Sequence, residues 1–198
     1  MRIVAFGDSI TEGVIGVTPE QNWLNLLGSK LGSGYELFNA GVGGNSAREA
    51  MARLQKDVLS RHPDAILIEF GGNNNDPVKP ERRVNDEEFM KHLNHFKESL
   101  PQSCKVMMIT FPPIIDERHA LRNLVPGGKM NIRLESQRQI VRDFAAANNW
   151  PLLDLYKLMY DQRYELILDD GVHLNPAGQI FFSEVVYKLM KRVGWLRQ

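Results

Sequence analysis

Apolar residues along the chain follow two rhythms. Five short, nearly continuous apolar runs have the length of strands: RIVAF (2–6), YELFN (35–39), AILIEF (65–70), KVMMIT (105–110) and PLLDL (151–155). Between them apolar residues recur at helical spacing, as Trp23, Leu24, Leu27 and Leu31, then Ala47, Met51, Leu54 and Val58, then Phe89, Leu93, Phe96 and Leu100. A longer pattern from Lys129 to Asn148 carries Ile132, Ile140, Val141 and Phe144, and a last one carries Ile180, Phe181, Val185 and Leu189. Three helix starts are marked. Ser46 with Glu49 forms a capping box, Asn85 with Glu88 repeats it with Val84 and Phe89 as a staple, and Asn175 before Pro176 fits an N-cap and first helical position.

Strands alternating with helices, and strands apolar on both sides, predict a parallel sheet covered on both faces. In that architecture a site forms outside the C-terminal ends of the strands. Four polar or Gly/Pro-rich segments follow the first four strands: GDSIT (7–11), GVGGNS (41–46), GGNNND (71–76) and FPPIID (111–116). All four are expected along one edge of the sheet. The length of 198 residues suits a single domain, 1–198.

Composition narrows the partners. Apolar residues make up 43% and charged residues 24%, and Lys+Arg and Asp+Glu both total 24. A balanced charge calls for neither nucleic acid nor an anionic membrane surface. No apolar stretch is long enough to span a bilayer. Only Arg2 precedes the first apolar run, with no long apolar segment or cleavage site, so the expectation is a cytoplasmic protein without a secretory leader. The single Cys104 excludes an internal disulfide and a cysteine-based metal cluster, and its place beside the fourth strand reads as a small core-edge residue.

The candidate chemistry starts at Ser9, in the turn after the first strand. A serine hydroxyl is a weak nucleophile until a base takes its proton. Of the five histidines, His62 lies at the opposite end of the sheet, His92 and His95 lie on a lysine-rich helix, and His119 lies in a charged loop. His173, after the fifth strand, is the one that topology delivers to Ser9. Asp170 stands three residues earlier, close enough to hold one imidazole nitrogen while the other faces Ser9. The same spacing also suits a plain turn before the last helix. Gly43 and Gly44 allow a backbone N–H to approach a substrate, and Asn73 offers a side-chain amide. Individually each also fits an ordinary turn or polar loop.

Together these segments resemble the four sequence blocks of the SGNH, or GDSL, hydrolase superfamily, in family order and across nearly the whole chain. GDSIT resembles the block that carries the nucleophile, here Ser9. NAGVGGNS resembles the second, with Gly44 as a backbone oxyanion donor. FGGNN resembles the third, with Asn73 as a side-chain oxyanion donor beside the Ser9 N–H. DGVHLN resembles the last, with Asp170 and His173 completing a triad. The resemblance implies a flavodoxin-like three-layer α/β/α sandwich with a five-stranded parallel sheet, and a serine esterase needing no cofactor and no metal. Two departures stand out: Asn74 replaces the usual Asp of the third block, and Gly43 a common Ser of the second. Within the superfamily, LLDLYKLM and LDDGVHLNPAGQIFF are most similar to the isoamyl acetate-hydrolysing esterase group, which implies small carboxylic esters. Carbohydrate acetylesterases and lysophospholipase-type acylhydrolases are the alternatives.

Two segments without periodicity, 75–84 and 112–128, are either substrate walls or solvated connectors. Taken as walls, they make Ile114, Ile115 and Leu124 the candidate substrate contacts. Asp8 and Asp169 read as structural, Asp8 through the turn amides. Three competing functions are weaker. A dinucleotide fingerprint belongs in the first βα turn and needs a glycine where Ser46 stands. A metal-dependent hydrolase on Asp8, Asp170 and His173 lacks a second convergent histidine. A non-catalytic binding protein fits poorly with every triad position filled.

Overall fold

The computed structural model describes residues 1–196. The five apolar runs form parallel strands β1 (Arg2–Gly7), β2 (Glu36–Gly41), β3 (Ala65–Glu69), β4 (Lys105–Ile109) and β5 (Leu152–Leu153). Their order is β2-β1-β3-β4-β5, the doubly wound flavodoxin-like order. β1 is therefore flanked by β2 and β3. Its register sets Gly7 beside Gly41 on one side and beside Glu69 on the other. The three turns that follow leave the sheet at one level.

Successive strand residues point to opposite faces, and both faces are dry. Ile3 and Ala5 of β1 join Leu67 and Met107 in one core. That core is closed by α2 (Trp23–Leu31) and α9 (Pro176–Arg192), where Trp23 stacks on Phe182 at 4.2 Å between ring centres. Val4 and Phe6 join Ile66, Ile68 and Met108 in the other core. It is closed by α3 (Ala47–Asp57), α4 (Asp86–Ser99) and α6 (Glu135–Ala147). The Ser46–Glu49 capping box forms, and Asn85 and Asn175 accept the N–H groups of Glu88 and Gly178. Glu88 does not return a bond to Asn85; it pairs with Arg48 instead.

Two helical readings need correction. The pattern from Lys129 to Asn148 is not one helix. α5 (Met130–Arg133) and α6 meet at Leu134, because the buried Arg138 takes the Asn131 carbonyl at 3.0 Å and withdraws it from the ladder. Ile132 is consequently 67% exposed. In α9 the buried stripe is Phe182, Val186, Leu189 and Met190, and Ile180 faces out. Gln179 sits in the α2–α9 seam, accepting the Trp23 N–H at 2.9 Å. The sequence pattern also missed three short helices: α1 (Ser9–Glu12), α7 (Leu155–Met159) and α8 (Arg163–Leu166). Cys104 is half-buried, and burial pushes its thiol up to about 11, which leaves it protonated.

Close backbone approach, rather than a special dihedral, demands glycine at the end of β2. A Cβ on Gly41 would lie 2.1 Å from the Glu12 backbone nitrogen. A Cβ on Gly34, by contrast, would meet nothing within 4 Å. Gly41→Ala is expected to destabilise the fold by about 2–4 kcal/mol and Gly34→Ala by under about 0.5 kcal/mol, as read from denaturant midpoints. Equal effects at the two positions would remove the α1–β2 contact as the constraint.

Candidate active site

Ser9 begins α1, immediately after β1. Asp8 is its N-cap: its carboxylate accepts the Ile10 N–H at 3.0 Å and the Asn73 side-chain amide at 2.9 Å. One buried carboxylate thus joins the first turn to the third. Asn73 also donates to the Asn45 carbonyl at 3.3 Å, which links both to the second turn.

His173 reaches the same point from the loop before α9. Its Nε2 lies 3.0 Å from Ser9 Oγ and its Nδ1 lies 2.6 Å from Asp170 Oδ2. The other Asp170 oxygen accepts the backbone N–H groups of Val172 and His173, so the turn and the ring share one anchor. An ionised carboxylate can only accept, which places the ring proton on Nδ1 and the lone pair of Nε2 toward Ser9. Partial burial pushes the Asp170 carboxyl up, but the bonds from His173 and from these two N–H groups outweigh it and hold it below its ordinary value. A hydroxyl, an imidazole and a carboxylate in this series can move a proton off the hydroxyl.

Gly44 follows β2 with φ of +74°, a conformation that L side chains resist. Its carbonyl is held by Arg82 at 2.6 Å, and Arg82 also pairs with Glu49. Gly43 donates its N–H to Glu12 at 2.9 Å, so glycine in place of serine leaves that turn tied rather than loose. The backbone N–H groups of Ser9 and Gly44 donate to no protein group among the described residues.

Asn74 is fully buried and has a different task from Asn73. Its oxygen accepts the Ala47 N–H at 2.9 Å, so its nitrogen must face Gln137, which accepts at 2.7 Å. Gln137 then presents its own nitrogen to Asp86. The amide at position 74 is matched to a glutamine that only an amide can serve.

Beneath Ser9 lies a second carboxyl. Glu69 is 1% exposed and accepts the Thr11 hydroxyl at 3.0 Å. Burial, then the neighbouring Asp8 charge, push Glu69 well above the ordinary carboxyl range, while burial pushes Asp8 up to about 6.

A cavity of about 70 Å³ opens beside Ser9 and Asn73, walled by Phe111, Pro112, Ile114, Met130, Val172 and His119. Of the three expected substrate contacts, only Ile114 lines it. Ile115 is buried in the α9-side core instead. Leu124 is 59% exposed on a one-turn helix at 122–124 and does not border the cavity. Segment 112–128 therefore supplies a wall through Pro112, Ile114 and His119, and Met130 follows it. Segment 75–84 supplies the Arg82 brace on Gly44 rather than a lid.

His119 and Arg82 are the residues that sequence reasoning passed over. No spacing marks His119. Its turn returns to the cavity because Arg118 and His119 both donate to the Ile115 carbonyl and the turn packs on Gly171, where a Cβ would lie 2.7 Å from that carbonyl. Of the other histidines, His62 occupies a left-handed turn and His95 is exposed. His92 is partly buried, with its Nε2 3.2 Å from Glu88. Asp169 is exposed and pairs with Arg118 at 3.4 Å. Among the described residues no group of three His, Cys, Asp or Glu side chains is placed to hold a metal ion, and no helix is long and apolar enough to cross a membrane.

Comparison with known proteins gives concordant matches. A model of the GDSL-like lipase/acylhydrolase family matches residues 5–179. The chain is 29% identical to an isoamyl acetate-hydrolyzing esterase 1 homolog of Mus musculus, across 98% of this chain and 84% of that one. It superposes on a lipase/acylhydrolase of Enterococcus faecalis with a TM-score of 0.82 and 27% identity, over 99% of this chain and 97% of the other. An acetyl xylan esterase matches with a TM-score of 0.76 and 27% identity, over 95% and 98% of the two chains.

Two outcomes follow from the buried polar groups. Asn74→Asp, although it restores the commoner residue of the third block, is expected to destabilise by about 1–3 kcal/mol, since it sets a carboxylate against the Gln137 oxygen. Unchanged or raised stability would show that Gln137 turns over freely. The second concerns pH. Asp8 and Glu69 both titrate higher in the fold than in the unfolded chain, so the fold retains protons that the unfolded chain gives up. The stability they contribute is complete below about pH 4 and declines as pH rises through about 6 and beyond. Glu69→Gln cannot ionise. Its denaturation midpoint is expected to gain on that of the wild type as pH is raised, and parallel pH curves would refute the assignment.

Proposed function

The chain belongs to the GDSL-like lipase/acylhydrolase family, and from that premise we propose that it is a serine esterase cleaving short carboxylic esters through a Ser9–His173–Asp170 triad. The single observation that carries this reading is His173, bonded to Ser9 through one ring nitrogen and to Asp170 through the other.

In the proposed cycle Ser9 Oγ attacks the ester carbonyl carbon as its proton passes to His173 Nε2. Asp170 keeps the Nδ1 proton in place and stabilises the imidazolium. The carbonyl oxygen, now negative, is received by the N–H groups of Ser9 and Gly44 and by the Asn73 amide. The Asn73 hydrogen held at 3.3 Å by Asn45 is the more easily redirected of its two. Donors aimed at this oxygen act mainly in the transition state, where the charge gathers. The intermediate then expels the alcohol, which takes the proton from Nε2, and leaves an acyl group on Ser9. Water repeats the sequence: His173 accepts its proton, the hydroxyl adds to the acyl carbon, and the acid departs as Ser9 regains a proton.

The cavity volume supports a short acyl or alcohol group, since pockets for drug-sized ligands are several times larger. The likeness to the mouse isoamyl acetate-hydrolyzing esterase homolog supports an acetate. An acetylated carbohydrate is the second reading, carried by the likeness to the acetyl xylan esterase.

Ser9→Ala is expected to abolish hydrolysis of p-nitrophenyl acetate while the fold persists, and a fluorophosphonate is expected to label Ser9 alone. Asp170→Asn preserves an oxygen for the two turn N–H groups but offers Nδ1 a donor, so the ring is held in the wrong tautomer. Its kcat is expected to fall by about 10²–10⁴. Across p-nitrophenyl esters from acetate to palmitate, kcat/KM is expected to decline with acyl length. An active Ser9→Ala protein would sink the mechanism.

A further inference from the structure

A histidine outside the relay borders the same cavity. His119 forms part of its wall, among Phe111, Ile114 and Met130. Its Nδ1 receives the Leu121 backbone N–H at 3.0 Å. A backbone N–H can only donate, so Nδ1 carries no proton, and the neutral ring bears its one hydrogen on Nε2. The Leu121 N–H also leaves no place for a second proton on Nδ1, and burial lowers the affinity of the ring for it. Among the described residues, Nε2 has no protein acceptor. The result is an uncharged donor, fixed in orientation, on a residue that borders a small cavity lined by Ser9, Asn73 and Asp8 on one side and by the apolar Phe111, Ile114 and Met130 on the other.

We propose that His119 is a specificity-determining residue whose Nε2–H binds an ether or hydroxyl oxygen of the substrate, beside the ester group that Ser9 attacks. The inference rests on the esterase reading above and names the kind of ester it takes. An alkyl chain filling the cavity strips water from Nε2–H and returns no acceptor. An oxygen in place of one methylene restores the bond at nearly the same volume. Sites built to hydrogen-bond a substrate discriminate against analogues that leave the donor unpaired, more than methylene size alone allows.

Two matched pairs test it, one on each side of the ester bond: 2-methoxyethyl acetate against butyl acetate, and ethyl methoxyacetate against ethyl butanoate. Each kcat/KM is divided by the hydroxide-catalysed rate of the same ester, which removes intrinsic reactivity. The wild type is expected to favour the oxygen-bearing member of one pair by about tenfold. His119→Phe is expected to remove that preference, and His119→Gln, which keeps an N–H donor, to retain part of it. Absence of preference in both pairs for the wild type overturns the assignment, as does a preference that survives in His119→Phe. Should the Phe variant fail to fold, the wild-type ratios and the Gln variant still decide. Turnover of all four esters without preference removes the role of His119 alone. Turnover of none removes the esterase reading, and this inference with it.

Discussion

A buried carboxylate holds the site together. Asp8 is 2% exposed, yet it caps the helix that starts at Ser9 and grips the Asn73 amide. Two loops from different strands are thereby set against each other at hydrogen-bond precision. Burying such a charge is costly unless it is bonded. The bonds from Ile10 and Asn73 supply part of the compensation. Glu69 below it and the nearby His173 add to this, and the burial of Glu69 favours its protonated form and so keeps a second charge away. Thr11, in the helix that Asp8 caps, completes the stack by donating to Glu69.

Around this point the loops are tied by side chains that reach between strands. Arg53, on α3, donates to the carbonyls of Gly7 and Ala40 and to the Asn45 side chain, with its guanidinium 4.6 Å from the centre of the Phe6 ring. Arg82 holds Gly44 from the far side. Arg138 sits fully buried between Phe111 and Tyr156 and fixes the start of the cavity wall through Pro112 and Asn131. Arginine suits these positions because its fork of donors satisfies several carbonyls at once while its flat face packs on aromatic rings. The turns are thus held by directed bonds over a sheet whose packing is nondirectional.

Much of this was legible in the chain. The five strands and the main helices announce themselves because burial on both faces demands continuous apolar runs, and burial on one stripe demands helical spacing. Ser9, His173 and Asp170 could be brought together on paper because parallel topology sends every strand end to one edge. Boundaries failed where a single distant bond decided them. Leu134 breaks the helix from Lys129 to Asn148 because Arg138 captures a carbonyl, and no local propensity records that event. The α9 stripe was misplaced because Gln179, a polar residue, faces inward to serve the Trp23 N–H.

The candidate pocket divides in the same way. Ile114 and Ile115 are adjacent and equally apolar, and only the direction of the chain at that point sends one to the cavity and the other to the core. His119 reaches the cavity because its turn closes against Gly171, fifty-two positions later in the chain. By itself the sequence determined the sheet, its covering layers and the edge where the chemistry gathers, since these follow from periodicity and from strand order. Only the tertiary structure decided that Asn74 serves Gln137 and that His119 borders the cavity beside Ser9. Those choices depend on hydrogen bonds between residues far apart in the chain, and the spacing of residues along it does not encode their directions.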